Sequence, residues 1–269
     1  ESRWRASAEI TTEYSLDLEA GEQLLIDGET QRYAFVYRQA WGEAFDWGIE
    51  IPLLHTGGGF MDSFIEGWHD AFGLPNGGRE SAPQDRRQVR YVRDGIMELD
   101  VRGADTGLGD VTLAAGWSPA ERWMLRSQLK LPTGDEDQLA GGNWGAALWA
   151  DAALPFDETS AWGGFVSAGV SANEDAAVLA QLQNAVIPFG GVGFDVRLLP
   201  QFQALVQLYA HAPLYDDTEI DALKRPGVQL TFGGRWCISE AHCLELSFQE
   251  DLAVASSPDF SLRFALVSR

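Results

Sequence analysis

Trp4-Arg5-Ala6-Ser7-Ala8-Glu9-Ile10-Thr11-Thr12-Glu13-Tyr14-Ser15-Leu16-Asp17 alternates apolar or small residues with polar and charged ones at a period of two. Successive side chains of a strand point to opposite faces, so this segment has one apolar wall and one polar wall. The alternation returns at the end of the chain, where Phe260, Leu262, Phe264 and Leu266 interleave with Ser261, Arg263, Ala265 and Val267. In a soluble sandwich the apolar wall faces a shared core. In an outer-membrane barrel it faces lipid, and the polar side chains turn inward.

Working outward from this stretch, about a dozen such segments recur, most near the ~9–11 residues that a tilted membrane strand needs. They begin near Trp4, Gln31, Phe45, Asp110, Arg122, Asn143, Trp162, Phe189, Phe202, Val228, Cys243 and Phe260. Short connections near residues 42–44, 118–121, 155–160, 199–201 and 238–242 alternate with longer ones at 18–30, 55–108, 133–142, 173–187 and 213–225. The connection near Ala255–Pro258 is a short exception. Outer-membrane barrels have short periplasmic turns, long extracellular loops and periplasmic termini, a rule that sandwiches do not obey. Trp4, Trp41, Trp47, Trp117, Trp123, Trp144, Trp162 and Trp236 fall at or near segment ends, where aromatic girdles at the two interfaces lie. The expected fold is all-β: one domain over residues 1–269, a transmembrane antiparallel up-and-down β-barrel of about 12 strands.

Composition agrees with that reading without demanding it. The apolar fraction of 45% is ordinary, because barrel strands average lipid-facing and lumen-facing residues. No run of ~18 apolar residues offers a membrane helix. The chain opens directly into strand pattern, as expected for an exported protein of the bacterial outer membrane whose signal peptide has been removed. A formal net charge of -21 argues against nucleic acid as a partner. The acidic residues crowd connections: Asp17, Glu19, Glu22, Asp27 and Glu29 in one, Asp135, Glu136 and Asp137 in another, Asp216, Asp217, Glu219 and Asp221 in a third. Cys237 and Cys243 flank a short connection, a position that favours a hairpin-stapling disulfide over a metal site or redox motif and implies an oxidising compartment.

With the apolar faces in lipid, the opposite faces line the lumen. They carry Glu9, Glu13, Arg32, Arg38, Asp46, Glu50, Arg126, Gln128, Lys130, Asp151, Asp195, Arg197, Gln203, Gln207, Arg235, Glu245, Asp251 and Arg263. Both signs are interspersed and no basic ladder stands out, so ion pairs filling a narrow, partly obstructed pore are expected. Glu50, Arg126, Lys130, Asp195, Arg197 and Arg235 are the lumen candidates for ligand contact.

Residues 55–108 are too long for an ordinary connection, which marks them as a functional extracellular insertion. Within them Phe60, Phe64, Trp68 and Phe72 recur at helical spacing, followed by the stop Gly73-Leu74-Pro75. Such an aromatic stripe must bury against the barrel mouth, the outer leaflet or a partner. We read it as a lid or plug over the mouth, with Asp62, Glu66, Trp68, His69 and Arg79 as further ligand-binding candidates.

Glu50-Ile51-Pro52, Gly57-Gly58-Gly59-Phe60-Met61-Asp62, Ile65-Glu66-Gly67-Trp68-His69 and Phe72-Gly73-Leu74-Pro75 to Gly78-Arg79 together resemble the signature stretch of a proteobacterial family of uncharacterised outer-membrane proteins, known only as a domain of unknown function. Gly107-Leu108-Gly109-Asp110 and Leu129-Lys130-Leu131-Pro132-Thr133-Gly134-Asp135 are also typical, and the latter recurs in barrels linked to uptake of aromatic or hydrophobic compounds. The resemblance spans most of the chain. It implies an outer-membrane barrel and no established activity, so it supplies no catalytic residues. The ending Val267-Ser268-Arg269 departs from it, since such chains usually end in an aromatic residue.

The expected function is a narrow or gated channel for passive passage of a small molecule, with the insertion as lid. The alternative is a structural or assembly barrel whose aromatic insertion docks a partner protein or lipopolysaccharide; outer-membrane lipid and lipopolysaccharide are expected surroundings in either case. An outer-membrane hydrolase is the third reading. Ser63 with His69, or Ser127 with His211, are the conceivable pairs, but the chain has only 4 histidines and no GxSxG motif. We therefore expect no enzyme, no cofactor and no metal.

Overall fold

The computed structural model describes residues 1–73, 82–135, 141–157, 159–175, 178–252 and 259–268. β1 (Ser2–Glu19) and β2 (Glu22–Trp41) form the first hairpin, 18 and 20 residues long and paired from Glu19↔Glu22 down to Ser2↔Gln39. The acidic stretch at 18–30, expected to be an outer loop, is therefore strand on both sides of a tight turn at Ala20 and Gly21. The alternation survives the charge there: Glu22, Leu24 and Ile26 share one face, Asp27 and Glu29 the other. Gly21, at φ +89°, supplies the left-handed position that the turn needs.

β3 (Phe45–Gly57) is followed by α1 (Asp62–Phe72), the hairpin β4 (Gln88–Arg93) and β5 (Ile96–Arg102), and the short β6 (Asp105–Leu108). Then come β7 (Thr112–Ala120), β8 (Trp123–Lys130), β9 (Gly145–Ala153), β10 (Trp162–Asn173), β11 (Val186–Leu199), β12 (Phe202–His211), a single helical turn α2 (Asp221–Lys224), β13 (Gly227–Cys237), β14 (His242–Asp251) and β15 (Phe260–Ser268). Strands β1, β2, β3 and β7 to β15 pair antiparallel in succession, and β15 returns to β1, closing a 12-stranded barrel. Closure leaves no edge with unpaired backbone groups, the condition for crossing a bilayer with strands. β4 pairs with Glu22–Asp27 of β2, above the point where β3 leaves it, and β6 pairs with Leu53–Thr56 of β3. Part of the insertion thus raises the barrel wall at the loop end.

The outward faces carry a belt of exposed apolar residues, among them Phe35, Ile51, Leu53, Leu113, Leu125, Leu148, Val170, Val206, Leu246 and Phe264. In water this belt would drive association; in a bilayer it is the lipid-facing band. The tryptophans are less symmetric than the sequence implies. Trp4, Trp41, Trp47, Trp117, Trp123, Trp162 and Trp236 all lie at the turn end, and Trp144 stands at the loop end of the wall. The expected disulfide joins Cys237 to Cys243 across the base of the β13–β14 hairpin.

The insertion's helix packs on the outer face of the barrel wall. Residues 57–61 cross the outer face of β2, where a side chain on Gly58 would collide with the Asp85 carbonyl and Gly59 holds φ +76° against the Glu29 side chain. Glu29 accepts the backbone N–H groups of Phe60 (3.1 Å) and Met61 (3.2 Å), leading the chain into α1. Met61 and Ile65 are then buried with Phe260 beside Ile10, Phe248 and Leu262, all on the lipid-facing side of the barrel wall. Trp68 stacks on Phe248 at 6.0 Å and 4°, and Phe64 meets Phe260 at 6.0 Å. The stripe found the apolar surface available to it, the outer wall of β1, β14 and β15, whereas the lumen side of these strands is polar. Trp68→Ala is expected to raise amide exchange across Asp62–Phe72 by about tenfold, the equivalent of ~1.4 kcal/mol of lost stacking, with the barrel strands unchanged. Equal protection in both proteins would mean that the stacking does not hold the helix.

Candidate functional site: the lumen and its cap

The mouth at the loop end is covered, but by other segments. Leu24 of β2 shares its face with the lumen-lining Val36 and Arg38, and Leu24 and Tyr91 of β4 are paired neighbours. Both are buried against Leu179 and Leu182 from the β10–β11 connection and Ile220 and Leu223 from the β12–β13 connection. Ile26, Leu99, Val178, Tyr215 and Ala222 complete this apolar cluster. Loops from the far wall therefore fold inward and meet the raised wall built by β2, β4 and β5.

Glu22 rivets the two sides. Its carboxylate accepts from the Tyr91 hydroxyl (2.8 Å), the Thr218 hydroxyl (2.8 Å) and the Glu219 backbone N–H (2.6 Å), with the Arg93 guanidinium at 3.4 Å. Burial pushes the Glu22 carboxyl up, but these donors together overcome it and hold its pKa below the usual carboxylate range. The same site, chiefly by burial and then by the bond to Glu22, raises the Tyr91 phenol to about 12. Asp17 adds a bond from the Asp221 N–H at 2.7 Å, and Arg93 donates to the Asp217 carbonyl at 2.9 Å.

A second clamp holds the β8–β9 loop. Asp110 accepts from Lys130 Nζ (2.7 Å) and from the backbone N–H groups of Thr133 (3.1 Å), Gly134 (2.8 Å) and Gly142 (2.9 Å). Burial raises its carboxyl, and Lys130 with the glycine N–H groups more than offsets this, leaving the pKa low. Gly141, at φ +121°, passes so close to this carboxylate that a side chain would strike it. The two motifs Gly107–Asp110 and Leu129–Asp135 are thus two halves of one loop anchor.

Below the cap, ion pairs run across neighbouring strands: Arg32 with Glu50, Arg38 with Asp46, Arg126 with Asp151 (2.7 Å), Arg235 with Glu245 (2.6 Å) and Arg263 with Glu9 (3.9 Å). Gln203 donates to Asp195. They line the wall without filling the bore. Trp149 lies opposite Gly169 and Phe165 opposite Gly193; the Phe165 ring occupies the space that a side chain on Gly193 would take, and at Gly169 a side chain would strike the Trp149 Cβ and the Leu148 carbonyl. Two cavities of about 430 and 770 Å³ remain at the turn end, both touching Arg5 and Arg38.

Of the residues singled out from sequence, Glu50, Arg126, Asp195 and Arg235 face the lumen, Arg197 holds an inward register position, and Lys130 sits at the loop end. Asp62, Glu66 and Trp68 lie on the outer helix, where Asp62 accepts the Asp85 N–H at 2.8 Å. Arg79 and the His69 side chain lie outside the described residues. Ser127 shares the outward face of β8 with Leu125 and Leu129 while His211 faces inward, so that pair does not meet. Among the described residues no group of His, Cys, Asp or Glu is arranged to hold a metal ion. Sequence reading passed over Arg5, Trp149 and Phe165 in the lumen and Tyr91, Leu182 and Ile220 in the cap. Arg5 was visible on the polar wall of the first strand; the cap residues carry no local signal.

A family model described as "Protein of unknown function (DUF3187)" matches residues 1–269. The chain belongs to the DUF3187 family. No curated protein matches it in sequence. Among solved structures it is similar to a COG4313 outer-membrane channel from Pseudomonas putida F1, with a TM-score of 0.60, 13% identity, and 99% of this chain and 94% of that one covered. The NanC porin gives 0.51 at 7% identity with both chains covered fully (100% and 100%), and the β domain of the Bordetella autotransporter BrkA gives 0.51 at 13% with 99% and 98% covered. These likenesses show the fold of an outer-membrane barrel.

Proposed function

We propose that this DUF3187 barrel is a gated channel for passive passage of a small molecule, with the lumen as path and the loop-end cap as gate. The observation that carries this is the apolar cap riveted at Glu22 above open cavities. A wall that merely had to be filled would have its bore packed with side chains. The lid role belongs in this reading to the β4–β5 half of the 55–108 insertion, acting with the β10–β11 and β12–β13 loops. The α1 half instead favours a second, compatible role: Phe60 and Phe64 remain exposed beside the outer wall, where lipid, lipopolysaccharide or a partner protein would cover them.

The test is planar-bilayer recording of the whole protein. Small, infrequent openings are expected from the native form and sustained ones when the cap is disrupted. A complete lack of current from both would end the channel reading.

A further inference from the structure

We infer that the turn-end half of the lumen is an anion-selective vestibule that holds small organic carboxylates. The inference rests on the channel reading and names its substrate class. Although the chain carries a net charge of -21, basic side chains outnumber acidic ones in the lining of the two turn-end cavities. Arg3, Arg5, Arg38, Arg122, Arg126 and Arg235 line the two turn-end cavities, against Glu121, Asp151 and Glu245. At the loop end the inward positions carry Glu13, Asp17, Glu22 and Asp251, and the basic Arg93 and Lys130 there are paired with Glu22 and Asp110. A lumen that is basic at one end draws anions there and repels cations, and low-dielectric walls sharpen the effect.

Arg38, Arg126 and Arg235 each already hold a carboxylate, whereas Arg5 holds none among the described residues. Its Nε is shielded from solvent and has no hydrogen-bond partner among the described residues, and its side chain lines both cavities. A guanidinium presents a planar fork of donors matched to a carboxylate, so Arg5 is the natural anchor for one. The larger cavity adds Trp149 and Phe165 to its lining, with the Phe165 ring resting on Gly193 of the next strand. A charged anchor facing flat aromatic surface fits an anion with an apolar body, as distinct from inorganic phosphate or a sugar.

The test has two arms on the full-length protein. In bilayers under a tenfold potassium chloride gradient, the reversal potential is expected on the chloride side, in the native form or with the cap opened by Leu182→Asp. Arg5→Ala, which orphans no partner, is expected to lower the anion preference about threefold, the scale of one charge at lumen distance. In detergent micelles, calorimetry with benzoate as probe is expected to show binding that benzyl alcohol does not compete for and that Arg5→Ala weakens severalfold. A reversal potential at zero or on the potassium side overturns the inference while leaving a channel, and so does equal binding of benzoate and benzyl alcohol. No current from any form, with Arg5-dependent benzoate binding intact, removes the channel reading and keeps the anion site.

Discussion

Leu182→Asp is expected to raise the open probability of the barrel more than tenfold. Leu182 is 1% exposed in the cap, packed with Leu24 and Tyr91 of the raised wall and Ile220 of the neighbouring loop. A carboxylate left without a partner in that cluster costs at least about 2 kcal/mol, and ~1.4 kcal/mol is a factor of ten in population. The barrel closes through backbone pairing that does not involve this residue, so the loops swing away and the wall survives. Leu182→Met conserves volume and is expected to stay closed. Unchanged recordings from the aspartate variant, with the barrel shown to be folded by heat-modifiable migration, would falsify the gate.

The same cap responds to acid. Glu22 has a folded pKa below its ordinary value, so its contribution is complete above the usual carboxylate range and is lost as pH falls through the lowered one. Protonation removes the acceptor shared by Tyr91, Thr218 and Glu219 and weakens the attraction of Arg93. Openings are therefore expected to lengthen as the loop-side solution falls below about pH 4, and Glu22→Gln is expected to remove most of that dependence. An acid response of equal size in the glutamine variant would overturn the role of Glu22 in it.

Asp110→Ala is expected to have the largest effect on stability, about 2–3 kcal/mol, because it removes a buried carboxylate on which four donors converge. The Asp110 side chain is 5% exposed and organises Lys130, Thr133, Gly134 and Gly142 at once. Lys130 would keep only its 2.6 Å bond to Asn143. The measurable outcome is a lower temperature for heat-modified migration and new protease cleavage within the loop that follows β8. Lys130→Met added to Asp110→Ala is expected to recover part of the loss by removing the stranded charge. If the single variant migrates and resists protease like the native protein, the anchor is not structural.

The barrel was legible because period two is a local property. Trp4 to Leu16 alternate whatever the rest of the chain does, and the strands found there and at Phe260–Val267 pair in register, from Arg5↔Val267 to Thr12↔Phe260. The same rule located the lumen faces, including Arg126, Asp195 and Arg235, because inward and outward follow from parity alone. Where charge was used in place of parity, at residues 18–30, strand was mistaken for loop. Helical spacing also located α1 correctly, yet an aromatic stripe does not say which of several apolar surfaces will receive it.

The sequence by itself thus determined most of the strand pattern, the closed barrel, the disulfide position and the helix at Asp62–Phe72, since each depends on neighbours in the chain or on a short turn. The tertiary structure alone decided that α1 rests on the outer wall, that Leu24, Tyr91, Leu182 and Ile220 pack together at the loop end, and that Arg5, Arg38, Arg126 and Arg235 share the turn-end cavities. Those contacts join positions such as 22 and 219, or 5 and 126, that are brought together only when the ring closes. Closing the ring is what turns a repeated local pattern into an axis with two chemically different ends.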